Sequence, residues 1–195
     1  MPLSDVQKKN LHETFRDLFW PAVAGNVVWS LLTVVIQKSE YDGHVPARFL
    51  VLLLLSGYLV LAWLSTKNIN VAEFTGLYWV WDGLHLAAIA VFAIAVQTKQ
   101  PWLNAALVGL FTVTIAGHFA RIWQPRKSRS WTTAIILGGC NSLGLLVLAI
   151  ERCCSGTSLR DFLICQCKPT YGLFWAVLTV LVFWKSANAL GVRSH

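Results

Sequence analysis

Tyr78, Asp82 and His85 follow an i, i+4, i+7 spacing. On a helix this puts a phenol, a carboxylate and an imidazole on one stripe. A carboxylate beside an imidazole can exchange protons near neutral pH, which suits a proton relay, a coupled carrier or a general acid–base. His118 and Arg121 are i, i+3 on the next apolar segment, and an antiparallel connection would bring either against Asp82 as an ion partner. Asp82 is the one acidic residue well inside an apolar segment. A charge at bilayer depth costs ~2.5–3.5 kcal/mol on insertion scales, so a retained one points to function.

The other polar residues at depth are Asn26, Asn141, Lys185 and Asn188. A helix rises ~1.5 Å per residue, which puts Asn26, His85 and Asn141 in one central layer and Asp82 ~4.5 Å to one side of it. Asn26, Tyr78, Asp82, His85, His118, Arg121 and Asn141 then form a polar column from the membrane centre to the cytoplasmic face, while the external halves of the spans are nearly all apolar. Trp29 and Trp81 sit inside their segments rather than at the ends, and with Tyr78 they could wall an aromatic pocket that stabilises a cation. Plainer roles compete. Arg121 and Lys185 can snorkel to the interface, the two asparagines and His118 can be interhelical hydrogen-bond partners, and the aromatics can simply pack.

Cys153, Cys154, Cys165 and Cys167 fall after the fifth apolar segment. Charge counting puts this loop outside, where two disulfides could form between the doublets. Free or acylated thiols are the alternative. A zinc site is disfavoured by the CC…CxC spacing and the lack of a loop histidine. The chain has no Walker A, GxGxxG or HExxH motif. No cofactor and no metal are expected.

These residues must be held by apolar helices. The chain is 56% hydrophobic and 13% charged, against about 25% charged in an average soluble domain. Six segments, at about 19–37, 48–65, 74–97, 101–123, 131–150 and 170–188, are each close to the ~20 residues that span a bilayer. Residues 1–18 read as an amphipathic interfacial helix capped by Ser4, with Val6, Leu11, Phe15, Leu18 and Phe19 on one side and Lys8, Lys9, Glu13 and Arg16 mostly on the other. Residues 19–188 form the membrane domain and 189–195 a cytoplasmic tail. Ten of the 16 Lys and Arg fall on the side of the two termini, including Arg126, Lys127 and Arg129, which places both termini in the cytoplasm. Most of the ten Trp, Trp20 and Trp79 among them, lie near segment ends as interface anchors. Pro21 falls in the first turn of its helix, where a missing N–H costs little.

The expected fold is therefore an all-α, multi-pass membrane protein of six transmembrane helices behind an interfacial helix. The leading functional expectation is a channel or transporter for protons or a small polar solute, centred on Asp82 and His85. A second is a membrane-embedded isomerase or cyclase using Asp82 as acid or base on a lipidic substrate. A third is an assembly or receptor subunit. The partners are the bilayer and the solute, proton or lipid. Nucleic acid is not expected despite the +7 net charge, and so narrow a bundle is compatible with a homo-oligomer.

Overall fold

The computed structural model describes residues 4–37, 45–66, 76–98, 102–122, 129–156 and 158. Every element among them is helical: α1 (Asp5–Thr14), a π turn (Phe15–Phe19), α2 (Trp20–Ile36), α3 (Val45–Thr66), α4 (Gly76–Gln97), α5 (Leu103–Ile122) and α6 (Arg129–Ser155). These match five of the six apolar segments, and the sixth, 170–188, lies outside the described residues. The first helix, Asp5–Ile36, and Trp79–Gln97 are long and apolar enough to cross a membrane, while Arg48–Leu64 and Leu103–Phe119 are apolar but shorter.

Short connections make successive helices antiparallel. One end of the bundle, here the near end, holds the start of α2 and α4 and the close of α3 and α5. The far end holds Ile36, Val45, Gln97 and Leu103. α2 packs on both α3 and α4, α4 on α5, and α5 on α6. The core is mostly aliphatic, with Val27 and Val34 from α2, Leu52, Leu55 and Leu59 from α3, and Leu86, Ile89 and Val96 from α4 around the Phe92 ring. Large apolar residues also line the outside, including Val28, Leu32 and Val35 on α2, Leu50, Leu53 and Val60 on α3, and Leu143, Leu146 and Ile150 on α6. Several hydroxyls are satisfied within their own helices. Thr33, Ser56, Thr98, Thr114 and Ser142 each donate to the carbonyl four residues back.

Ser4 caps α1 as expected, in a reciprocal box with Gln7. The rest of the N-terminus differs from the sequence reading. The interfacial segment and the first span are one helix, continuous from Asp5 to Ile36. Val6, Leu18 and Phe19 are exposed, and the residue of α1 that turns inward is His12, 8% exposed. The cause is the π turn. A constant 3.6-residue period misplaces every side chain beyond it. The pair Cys153 and Cys154 also differs. α6 runs through Ser155 and closes at Gly156 with φ 61°, so both cysteines occupy its last turn, exposed, rather than a loop. Cys165 and Cys167 lie outside the described residues.

Candidate functional site

Pro21 has no N–H, and its ring collides with the carbonyl four residues back in a regular helix. The chain answers with the π turn just before it. Trp20 N–H bonds to the Phe15 carbonyl five residues back. Neither Trp20 nor Pro21 then serves the Arg16 carbonyl, which instead accepts a 2.9 Å hydrogen bond from Trp63 Nε1 of α3. Pro21 thus stands in the first turn of α2, as the sequence suggested, but that turn continues a helix that begins at Asp5. Its cost is met by a wider turn and a neighbouring indole.

The same turn sets the phase of the site. At ~100° per residue, His12 and Trp20 would point ~80° apart. The extra residue of a π turn removes one step of ~100°, leaving them ~20° apart and both facing α4. There, Asp82 is 5% exposed, and its Oδ2 accepts a 3.2 Å hydrogen bond from Trp20 Nε1. One turn nearer the end of α4, the Trp79 ring packs on His12 with centroids 5.5 Å apart and planes tilted by 57°. Phe15 fills the corner, 5.6 Å from Trp79 between centroids. It lies so close to Gly83 that a Cβ there would sit 3.4 Å from its ring. Trp20 and Trp79 are therefore buried members of the site rather than interface anchors.

An indole N–H is a donor only. Trp20 orients the Asp82 carboxylate but cannot exchange a proton with it. Three histidines stand nearby. His85, half-buried one turn along α4, meets the edge of Tyr58 on α3 with centroids 6.0 Å apart. His118 is buried on α5. Close helix approach fixes its level, since a Cβ on Gly117 would lie 3.8 Å from Trp81 Cβ and one on Gly138 3.7 Å from His118 Cβ. Asn141, also buried, is one turn further along α6. Trp20, Asp82, His118 and Asn141 thus form a buried belt across four helices, with Asn141 about one turn, ~4.5 Å, beyond His118, where the depth arithmetic separated those two by ~9 Å. His12 is the third.

Other expected site residues fall elsewhere. Asn26 is half-buried on α2. Trp29 is 64% exposed and faces outward, away from Trp81. An aromatic pocket built on these two is not formed. Trp81 is half-buried, with an Nε1 that finds no hydrogen-bond acceptor among the described residues. Tyr78 and Arg121 belong to α4 and α5, and their side chains, like Lys185 and Asn188, lie outside the described residues.

The far end is not the apolar half the sequence implied. Ser30 Oγ donates to Gln97 Oε1 at 2.9 Å, joining α2 to α4. Arg48 Nη1 donates to the Val96 carbonyl, joining α3 to α4. Arg48, the first residue of the 48–65 segment, is buried, as is Asn104 of α5. Between the two ends the facing side chains are Val27, Leu86, Ile89 and Phe92.

A lateral groove of about 180 Å³ opens between α2 and α3 at the near end, lined by Trp20, Pro21, Ala24, Leu59, Val60 and Trp63. Trp20 presents its ring to this groove and its N–H to Asp82. On the surface beside the π turn, Arg16 grips both oxygens of Asp17 at 2.7 Å. That hydrogen-bonded grip holds the Asp17 carboxyl below its usual range and the guanidinium above its own. No group of three or more His, Cys, Asp or Glu among the described residues is placed to hold a metal ion.

Sequence reasoning missed His12, Trp20 and Trp79. One signal was available: a proline inside an unbroken helical pattern forces a local change of helical phase. No family model matches the chain, and neither does any curated protein or solved structure.

Proposed function

We propose that the chain is a six-helix membrane protein, with spans at about 19–37, 48–65, 74–97, 101–123, 131–150 and 170–188 and both termini cytoplasmic. We further propose that it carries protons, alone or with a small polar solute, by way of Asp82. The reading rests on one observation above all: a carboxylate 5% exposed, on an apolar helix, held by an indole donor. A buried ionisable group in a membrane helix is retained where it binds or relays charge. The outward stripes of Val, Leu and Ile on successive helices support a lipid-facing surface, since soluble monomers rarely expose apolar area so broadly. A carrier fits better than an open channel. From Asp82 to Val96 is ~21 Å along α4, and the intervening face is Leu86, Ile89, Phe92 and Ala93. Such a packed layer carries no water, so transport would need that layer to open.

The test is proton flux into proteoliposomes holding the purified full chain. Asp82→Asn keeps the acceptor for Trp20 but cannot titrate, and flux should fall by on the order of a hundredfold. Unchanged flux in that variant sinks the proposal. The groove beside Trp20 favours a second reading, an enzyme acting on a lipidic substrate, because it opens sideways rather than across the bundle. Lipid extracted with the purified chain, chemically altered by the native protein and unaltered by Asp82→Asn, would select it over transport.

A further inference from the structure

We infer that the lateral groove between α2 and α3 is a binding site for one hydrocarbon tail of a membrane phospholipid. The inference rests on the membrane reading above and not on proton transport. Three features carry it: the chemistry of the groove's wall, the surface onto which it opens, and its depth.

The groove, of about 180 Å³, is lined by Trp20, Pro21 and Ala24 of α2 and by Leu59, Val60 and Trp63 of α3. Only the two indoles among these side chains carry a polar atom, and both have it engaged elsewhere. Trp20 Nε1 donates to Asp82, and Trp63 Nε1 donates to the Arg16 carbonyl. An indole has one N–H and no acceptor, so neither ring has a further hydrogen bond to offer. Pro21 brings no backbone N–H either. The groove therefore gives contact area without hydrogen bonds. A polar solute or an extended peptide would shed water there and gain no partner, at ~1–3 kcal/mol for each unpaired group. A hydrocarbon chain has no such group to strand. It also supplies packing contacts that the lining of an empty space forfeits. Asp82 is not part of the lining. A tail in the groove meets the Trp20 ring, and the carboxylate stays behind it.

The groove opens onto an apolar surface. Val60 at its rim is 50% exposed, and Val28 and Leu32 of α2 and Leu53 and Leu64 of α3 are exposed along the same two helices. On the membrane reading, lipid covers these rows. Depth agrees. α2, Trp20–Ile36, is ~25 Å long, against a hydrocarbon core of ~30 Å. The groove starts at Trp20 and reaches ~6 Å deeper, to Ala24. It lies just inside the headgroup boundary, where lipid tails begin. Because α2 and α3 are antiparallel, both indoles wall the outer end, and Ala24 and Leu59 lie one turn deeper. The small side chain of Ala24 leaves that deeper end open. A tail is present at this depth in any bilayer and needs no matching surface, whereas a second copy of the chain would have to fit the rows of Val and Leu on both sides.

The experiment places the purified full chain in phosphatidylcholine vesicles that include a little phosphatidylcholine with a diazirine on one tail. After irradiation, adducts are mapped by peptide mass spectrometry. Leu32 and Leu53 are the controls, exposed residues of the same helices toward the other leaflet. Native chain should carry severalfold more adducts over 20–24 and 59–63 than at the controls. Ala24→Leu fills the groove from within and should bring its labelling down to the control level. Val60→Phe covers it from the exposed rim, leaves the core intact and should do the same, with the controls unchanged in both variants. Equal labelling of groove and controls in the native chain means ordinary lipid contact and overturns the inference. Labelling of the groove that persists in both variants overturns it too. A groove without adducts beside labelled controls shows that another part of the chain or a second copy fills it, with the same consequence. A chain that alkaline carbonate strips from membranes overturns the membrane reading itself.

Discussion

At the near end α2 is joined to α4 through an indole and a carboxylate, and at the far end the same two helices are joined through a serine and a glutamine. Both are hydrogen bonds, the first buried and the second partly so. The groups differ in what they can do afterwards. Asp82 carries an ionisable carboxyl, and a groove lies beside its partner Trp20. Ser30, Gln97 and the Arg48–Val96 carbonyl link keep one protonation state across all ordinary pH. On the carrier reading, the near end changes state and the far end holds position. That difference follows from side-chain chemistry, since the helices and their packing are shared.

The largest break in this comparison should come from Trp20. Trp20→Leu removes a buried ring and the donor to Asp82, and should cost ~3–5 kcal/mol of stability. Trp20→Phe keeps most of the ring and loses the donor, costing ~1–3 kcal/mol. Thermal unfolding in detergent separates the two. If Trp20→Phe matches native stability while proton flux persists unchanged, the indole N–H has no role at the near end. Gln97→Leu is the far-end counterpart. It strands the Ser30 hydroxyl in the core, where a return bond to its own helix offsets part of the loss, so ~1–2 kcal/mol is expected. Its pH profile of flux should keep the native shape. A displaced profile would erase the distinction between the two ends.

The helices were legible because hydrophobic runs of the right length are a strong signal, and five of the segments reappear with boundaries shifted by a few residues. Asp82 was legible for the same reason, as the exception in an apolar run. His12 was not. Its inward direction depends on a single extra residue of phase, produced by Pro21 further along the chain, which a fixed helical period does not carry. Arg48 was missed for a different reason. A cation at a helix end enters the charge count in the same way whether it snorkels or turns into the core onto a backbone carbonyl, and composition cannot separate those fates. Trp20 and Trp29 exchanged roles because depth along a segment does not say which way a side chain faces: the residue near the segment end is buried, and the one inside it faces outward.

Trp63→Phe sharpens the near end more gently. It removes the donor to the Arg16 carbonyl, which the π turn leaves without a helical N–H. About 1 kcal/mol should be lost. The loss should disappear when Pro21→Ala is added, because an N–H at position 21 can take over that carbonyl or restore a regular turn. Equal losses with and without Pro21 would show that Trp63 acts only by packing.

The smallest effect belongs to Asp17, and it tests whether burial, rather than the mere presence of a carboxylate with a donor, distinguishes Asp82. Asp17 has the stronger partner, a bidentate guanidinium. Its carboxyl is held low chiefly by that hydrogen bond, with solvent around it. A carboxyl whose pKa is lower in the folded than in the unfolded chain adds stability above its unfolded value and loses it as pH falls through the folded one. Acidification should therefore weaken the fold slightly through Asp17, and Asp17→Asn should remove that increment of acid sensitivity. Because the pair is exposed, the increment should be small and should shrink further in high salt. Melting curves at neutral and acid pH, with and without salt, measure it. A large loss of proton flux in Asp17→Asn, with the melting curve unchanged, would move the functional carboxylate from the buried belt to the surface and overturn the contrast between the two ends.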